Sequence, residues 1–317
     1  MKIVLMYEPP REHLDALRHA APGATFAVAT DLDSASRGIE DANAVLGNRF
    51  LLESLPHATR LQWVQSTSAG IDRILREAGT RLDGITLTTC RGVYDDEVAD
   101  HALALLLALV RRLPEAFEQR RNRDWTRRPL THLHGRRALI LGWGGIGVAI
   151  ARRLAAFGVI VEGVRRRHDG EPAMGADGFR VHGPSTWRQQ LASTDLLVLA
   201  LPSTAETFHL VARAELSLLA RGALLVNVGR GETLDEDAMR EALDAGILGG
   251  AALDVFEKEP LPVDHWIWAD ARIVMTPHWG RTIETAPWRW QPVVEENLRR
   301  FHAREPLLNV VDVDAGY

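Results

Sequence analysis

The sequence predicts an α/β fold built on parallel sheets, and three observations carry that prediction. Short apolar runs and amphipathic stretches alternate through the first hundred residues. A second alternating series begins at Arg137. That series opens with a glycine-rich turn set directly between a strand and a helix. Alternation of this kind argues for parallel strands covered by helices.

Taken in chain order, Ile3–Met6, Ala44–Leu46, Leu61–Gln65 and Ile85–Leu87 are expected as buried strands, with helical patterning such as Arg11–Ala20 between them. A long helix is expected over Asp96–Arg112. Its middle, Ala102–Val110, is the longest apolar run in the chain. A membrane span needs about 20 such residues, so this reads as a buried helix. Arg120–Arg137 is dense in arginine and contains Pro129 and Gly135, which marks an exposed loop or arm. The second series places strands at Ala138–Leu141, Val159–Glu162, Leu196–Ala200, Leu224–Asn227, Gly250–Leu253 and Ile273–Met275. Pro202, Gly222, Gly229 and Pro260 punctuate it, and Val293–His302 reads as a last helix.

Composition bounds the function. The 317 residues are 46% hydrophobic and 25% charged, enough for about two globular domains. A formal charge of -5 gives no support to a nucleic-acid or anionic-membrane partner. Cys90 is the single cysteine, which rules out an intramolecular disulfide and fits a cytoplasmic protein. Met1–Pro10 does not read as a secretion signal, because Glu8 and two prolines end its short apolar run.

The glycine turn is the strongest local motif. Gly142-Trp143-Gly144-Gly145-Ile146-Gly147 follows the strand Ala138–Leu141 and opens a helix over Ile146–Phe157, stopped by Gly158. Gly142 permits the tight turn, Gly144 lets backbone approach a pyrophosphate, and Gly147 lets helix and sheet pack closely. The helix N-terminus then offers free N–H groups and partial positive charge to an anion. This is the context of a Rossmann-type dinucleotide site. A ligand that keeps its ribose 2′-hydroxyl is usually met by an acid about 20 residues on. Here the second strand runs into Arg165, Arg166 and Arg167. Guanidinium groups suit a 2′-phosphate, so NADP(H) is expected over NAD(H), with NAD(H) possible if Glu162 serves as the ribose acid.

Three later turns carry reactive side chains just after expected strands: Arg230 after Leu224–Asn227, Glu259 after Gly250–Leu253, and His278 after Ile273–Met275. An arginine can hold a carboxylate and polarise a carbonyl, and a histidine can deliver a proton. A carboxylate beside that histidine raises its pKa and fixes its orientation. The residues alone also allow a turn cap, a solvated charge and a core histidine. His132-x-His134 lies in the arginine-rich loop without an acidic cluster, so no metal site is expected.

Across most of the chain, the sequence resembles the D-isomer-specific 2-hydroxyacid dehydrogenases. The resemblance is carried by Gly142–Gly158, by Asn227-Val228-Gly229-Arg230-Gly231, by Ala252–Pro262 with Glu259, and by Thr276-Pro277-His278. It implies an oxidoreductase that passes a hydride from NADPH to a 2-keto acid, reversibly, giving a D-2-hydroxy acid, with Arg230, Glu259 and His278 as catalytic residues. It further implies that the Ser68, Ala69 and Gly70 loop binds the substrate carboxylate, that Asp254 holds the nicotinamide carboxamide, and that Val98, Leu201, Pro202, Thr207 and Val228 line the cofactor groove. Glu97 stands where the family often has a small residue, which weakens the Val98 contact. By the same resemblance, a Rossmann-type doubly wound cofactor domain, residues 101–288, is inserted into a flavodoxin-like α/β substrate domain, residues 1–100 plus 289–317. A homodimer is implied, with Arg120–Gly135 as an embracing arm and Trp125 near the partner's site. Tyr94, Trp279, Arg281 and Trp288 are candidates for the substrate side-chain pocket, with plain packing as the competing role. Two alternatives stand beside this reading: a formate dehydrogenase-like enzyme, whose histidine is paired with glutamine rather than glutamate, and a non-enzymatic nucleotide-sensing corepressor on the same fold.

Overall fold

The computed structural model describes residues 1–167, 173–175, 177–281, 288–313 and 315–316. Its contacts divide the chain into two units, Met1–Val93 with Ile283–Tyr317, and Tyr94–Thr282. The break before Tyr94 keeps the long helix Asp95–Val110 whole within the second unit.

In the first unit, strands β1 (Lys2–Leu5), β2 (Thr25–Val28), β3 (Ala44–Leu46), β4 (Trp63–Gln65) and β5 (Thr86–Thr88) form a parallel sheet in the order β2-β1-β3-β4-β5. That is the flavodoxin-like order. Ile3, Val4, Leu5, Val45 and Leu46 are fully buried, as strands covered on both faces must be. The strand β2 escaped the sequence reading; it is an edge strand with exposed ends, although it carries the short apolar run Phe26–Ala29. The helix Gln291–Ala303 returns to this unit and packs against the helix Arg11–Ala20. A buried polar chain fastens it. Asn297 donates to Gln65 Oε1 at 2.7 Å, Thr88 Oγ1 donates to the same oxygen at 2.8 Å, and Trp63 Nε1 donates to Thr88 Oγ1 at 2.8 Å. Each buried polar group thereby finds a partner, which avoids the cost of leaving it unsatisfied.

The second unit carries β6 (Arg137–Leu141), β7 (Ile160–Val164), β8 (Ala173–Met174), β9 (Arg180–His182), β10 (Leu196–Leu199), β11 (Ala223–Asn227), β12 (Leu248–Leu253) and β13 (Ile273–Met275). Their order is β13-β12-β11-β10-β6-β7-β9-β8, parallel except for the β8–β9 pair. Strand order reverses between β6 and β10, which is the crevice where ligands bind in doubly wound sheets. The short β8 and β9 were not legible in the sequence because neither is a sustained apolar run. The helix Asp95–Val110 packs on the helix Gly145–Ala156, and Arg153 of the latter binds Asp96 at 3.0 Å and Asp100 at 2.6 Å. The expected loop over Arg120–Arg137 begins as helix. Arg112 adopts φ 53°, breaks the chain direction, and a new helix runs over Leu113–Asn122. Beyond it the chain is irregular, with Trp125 95% exposed. Among the described residues, no helix is long and apolar enough to cross a membrane.

At the crevice the glycines act as the sequence requires. Gly142 has φ +102°, and a Cβ there would lie 2.4 Å from Ala200 O. A Cβ on Gly147 would lie 2.1 Å from Gly142 O. The Gly142→Ala variant therefore meets both an unfavourable φ and a rigid backbone oxygen. It should lose at least about 2 kcal/mol of unfolding free energy, read from urea denaturation. Unchanged stability would mean that this turn is not held as described.

Candidate active site

The parallel pairing continues one residue past the strand ends. Ala200 N donates to Leu141 O, Val228 N to Leu199 O, Asp254 N to Asn227 O and Thr276 N to Leu253 O. The loops that follow β6, β10, β11, β12 and β13 thus start side by side. Glycine then lets them touch backbone to backbone. A Cβ on Gly229 would meet Leu201 N at 2.6 Å, and one on Gly231 would meet Phe256 C at 1.8 Å.

Arg230 sits between these two glycines. Its carbonyl accepts from Asn227 Nδ2 at 3.1 Å and Thr233 Oγ1 at 2.7 Å, and its Nη1 donates to Gly229 O at 2.8 Å. Glu259, on the loop after β12, accepts from Phe256 N through Oε1 at 3.1 Å. Its other oxygen, Oε2, lies 2.8 Å from His278 Nδ1. A pair so close fixes the ring: Nδ1 faces Glu259 and Nε2 is left for another partner. The hydrogen bond to Glu259 raises the His278 pKa above its ordinary value. Burial opposes this, the Glu259 charge adds to it, the Arg230 charge subtracts and the Asp254 charge adds. For Glu259 itself, burial pushes the carboxyl up, but the His278 hydrogen bond and charge, the Phe256 amide and the Arg230 charge outweigh it and hold the pKa low. The structure therefore brings Arg230, Glu259 and His278 together from three turns.

Asp254 is buried, and both of its carboxylate oxygens accept from protein donors, including Thr276 Oγ1 on Oδ1 at 2.7 Å and the Gly280 amide on Oδ2 at 2.8 Å. Burial would raise its pKa, but these hydrogen bonds together with those of His101 and the Trp279 amide hold it low. Val98 is buried in the helix Asp95–Val110 and Val228 is buried after β11. Leu201 and Pro202 follow β10 half-buried, where Thr207 Oγ1 ties the loop by donating to Pro202 O at 2.7 Å. Trp279 is 64% exposed beside His278. Arg281 lies over the Tyr94 ring at 4.9 Å. Trp288 belongs to the first unit, where it packs near Tyr7 and Trp290. In that unit the Ser68–Gly70 loop follows β4. The Ser68 amide donates to Ser66 Oγ at 3.1 Å.

The glycine turn fits a dinucleotide. Gly144 caps the helix Gly145–Ala156 without a side-chain hydrogen bond, and a Cβ there would meet nothing within 4 Å. Open space over the amides of a twelve-residue helix N-terminus suits a pyrophosphate. Gly145 and Ile146 form the first turn, where a Cβ on Gly145 would collide with the Asp95 carboxylate at 1.7 Å. The strand β7 runs to Val164, so Arg165 is the next residue. Glu162 is committed elsewhere, 3.1 Å from Arg137 Nη2 and 2.6 Å from His182 Nε2. Arg166 pairs with Glu206 at 3.1 Å. Arg165 and Arg167 border a cavity of about 460 Å³ together with Arg152 and Trp143. That cavity lies at the β7–β9 side of the sheet, away from the β12–β13 side that carries Glu259 and His278. Arg152 was not singled out in the sequence; its helix spacing gave no sign that it would face the arginine turn. His168 lies outside the described residues.

Residues 103–280 match the model of the D-isomer specific 2-hydroxyacid dehydrogenase NAD binding domain, more than half of the chain. The chain belongs to the D-isomer-specific 2-hydroxyacid dehydrogenase family. It is accordingly a nicotinamide-dependent oxidoreductase of the 2-hydroxyacid dehydrogenase type. Among the curated members it is 33% identical to a glyoxylate/hydroxypyruvate reductase of Arabidopsis thaliana over 266 residues, 83% of this chain and 80% of that one. Among solved members it superposes on a D-isomer specific 2-hydroxyacid dehydrogenase of Xanthobacter autotrophicus Py2, crystallised with NADPH and MES. The TM-score is 0.84 at 29% identity, covering 100% of this chain and 99% of that chain. An NADPH-dependent glyoxylate/hydroxypyruvate reductase of Sinorhizobium meliloti, solved with NADP and sulfate, gives a TM-score of 0.83 at 26% identity over 100% and 99% of the two chains.

In this dehydrogenase the raised His278 pKa is tied first to Glu259, so Glu259→Gln should lower it. The NMR titration midpoint of the His278 imidazole is expected to fall by about one unit. A midpoint that stays put would break the link between the two groups.

Proposed function

We propose that this dehydrogenase reduces a 2-keto acid to the D-2-hydroxy acid with NADPH, using Arg230, Glu259 and His278. The observation that carries the reading is the His278–Glu259 pair at 2.8 Å beside the Arg230 charge, on adjacent strand-end loops. The bound nicotinamide supplies the hydride for the carbonyl carbon. Arg230 holds the substrate carboxylate and draws charge from the carbonyl oxygen. His278 delivers a proton from Nε2 to the developing alkoxide. Glu259 stabilises the protonated imidazole before transfer and fixes its ring. Glutamate at this position favours a reaction that needs a protonated histidine, which formate oxidation to carbon dioxide does not.

Three features support NADPH over NADH: Arg165, Arg166 and Arg167 directly after β7, the further arginine Arg152 beside Arg165 and Arg167, and the commitment of Glu162 to Arg137 and His182. Relatives named as reductases of glyoxylate and hydroxypyruvate point to small 2-keto acids as the first substrates to try.

His278→Ala should cut keto-acid turnover by at least about a hundredfold while NADPH affinity stays near that of the parent, measured by steady-state kinetics and fluorescence titration. Near-normal turnover would remove His278 from the proton-donor role. Arg165→Asp should lower the NADPH-to-NADH ratio of kcat/KM by about tenfold or more. An unchanged ratio would refute the 2′-phosphate reading of this turn without touching the glycine turn.

A further inference from the structure

The second unit contains a partly buried polar cluster around the buried Asp254. It consists of His101, Thr276 and Asp254. His101 projects from the helix Asp95–Val110, whose neighbouring residues Ala102, Leu105 and Leu106 are buried and apolar. Its Nε2 lies 2.8 Å from Thr276 Oγ1 and 3.1 Å from Asp254 Oδ1. The Thr276 hydroxyl donates its one proton to Asp254 Oδ1 at 2.7 Å, so its lone pair can accept from His101 Nε2–H. A chain of this kind strengthens each of its bonds.

Asp254 is also the post around which the His278 turn is wound. The Asp254 carbonyl accepts the His278 amide at 2.9 Å. Its Oδ1 accepts the Trp279 amide at 2.7 Å, and its Oδ2 accepts the Gly280 amide at 2.8 Å. Three successive amides therefore end on one residue. They hold His278 at φ 55°, a left-handed conformation that costs a side-chain-bearing residue about 1–2 kcal/mol. Gly280 completes the fit, since a Cβ there would lie 2.7 Å from Asp254 Oδ2 and 3.8 Å from His101 Cδ2. A turn held only by its own preferences would not stay in this shape. One whose amides are gripped by a fixed, buried carboxylate does.

We infer that His101 is a positioning residue for His278, acting through Thr276 and Asp254. It locks the carboxylate that shapes the turn, and so keeps His278 Nδ1 against Glu259. The inference rests on the proposed role of His278 as proton donor for its effect on turnover, but not for its effect on the ring's placement. The charged groups that act on His278 are Glu259, Arg230 and Asp254. Of these, Asp254 is the one that His101 touches.

The experiment titrates the His278 imidazole by NMR in the full-length protein without added cofactor, with steady-state kinetics on the same variants. His101→Leu removes the donor. It should move the His278 midpoint down by about half a unit, as the ring leaves Glu259 for part of the time. With NADPH and glyoxylate, kcat should fall about tenfold while the glyoxylate KM stays within about twofold. His101→Gln keeps an Nε2 donor and should restore most of both. Thr276→Val removes the hydroxyl at constant volume and should repeat the leucine result, which covers the case of a poorly folding leucine variant. An unmoved midpoint in His101→Leu and Thr276→Val overturns the inference. So does a variant that loses thermal stability while its midpoint and kcat are those of the parent, because a purely structural contact would behave that way. If His278→Ala proved fully active, the proton-donor reading would fail, yet the titration would still judge whether His101 places the ring.

Discussion

The site depends on one constraint, the close approach of backbone to backbone along the ends of adjacent strands. Gly142 lies against Ala200, Gly229 against Leu201, Gly231 against Phe256, and Gly280 against the Asp254 carboxylate. Each contact is closer than any Cβ would allow. Together they lock the loops after β6, β10, β11, β12 and β13 in the order of the sheet itself. Side chains that are distant in sequence then converge because their loops cannot drift apart. Interiors packed at this density respond to small displacements as a unit. A misfit at one glycine is therefore felt by its neighbours.

Two carboxylates on the same loop do opposite work within that frame. Glu259 is half-exposed, gives one oxygen to the Phe256 amide and gives the other to His278. It is therefore able to influence a proton on the imidazole. Asp254 is buried and meets two backbone amides, a hydroxyl and an imidazole nitrogen. These donors hold the carboxylate in place. The same functional group serves as an electrostatic partner in one case and as a structural post in the other, and only the surrounding donors distinguish them.

Much of the fold was legible in the sequence, but unevenly. Strands inside the sheets are continuous apolar runs, so Ala44–Leu46 was placed to the residue and Ala138–Leu141 within one; the apolar run Ile273–Met275 was also placed to the residue, though that strand is half-buried at a sheet edge. The edge strand Thr25–Val28 has exposed ends, and the short Arg180–His182 carries no such run. The glycine turn was legible because its function needs glycine at fixed spacing. Arg230, Glu259 and His278 were singled out through their motifs, and the structure brings them together. His101 was not, because a single histidine in an apolar helix has the same appearance whether it is packing or anchoring.

The sequence by itself determined the succession of strands and helices, the glycine turn and the chemical types available at each strand end. Those follow from periodicity, turn preference and side-chain identity, which are local properties. Only the tertiary structure decided which groups meet. Glu259 and His278 are 19 residues apart, and His101 and Asp254 are 153 apart, yet both pairs come within hydrogen-bond distance. Their meeting depends on strand order and on where the helix Asp95–Val110 lies, and neither is written in any one segment. The glycine turn is thus a local feature, while the meeting of His278 with Glu259 is a product of how distant segments pack.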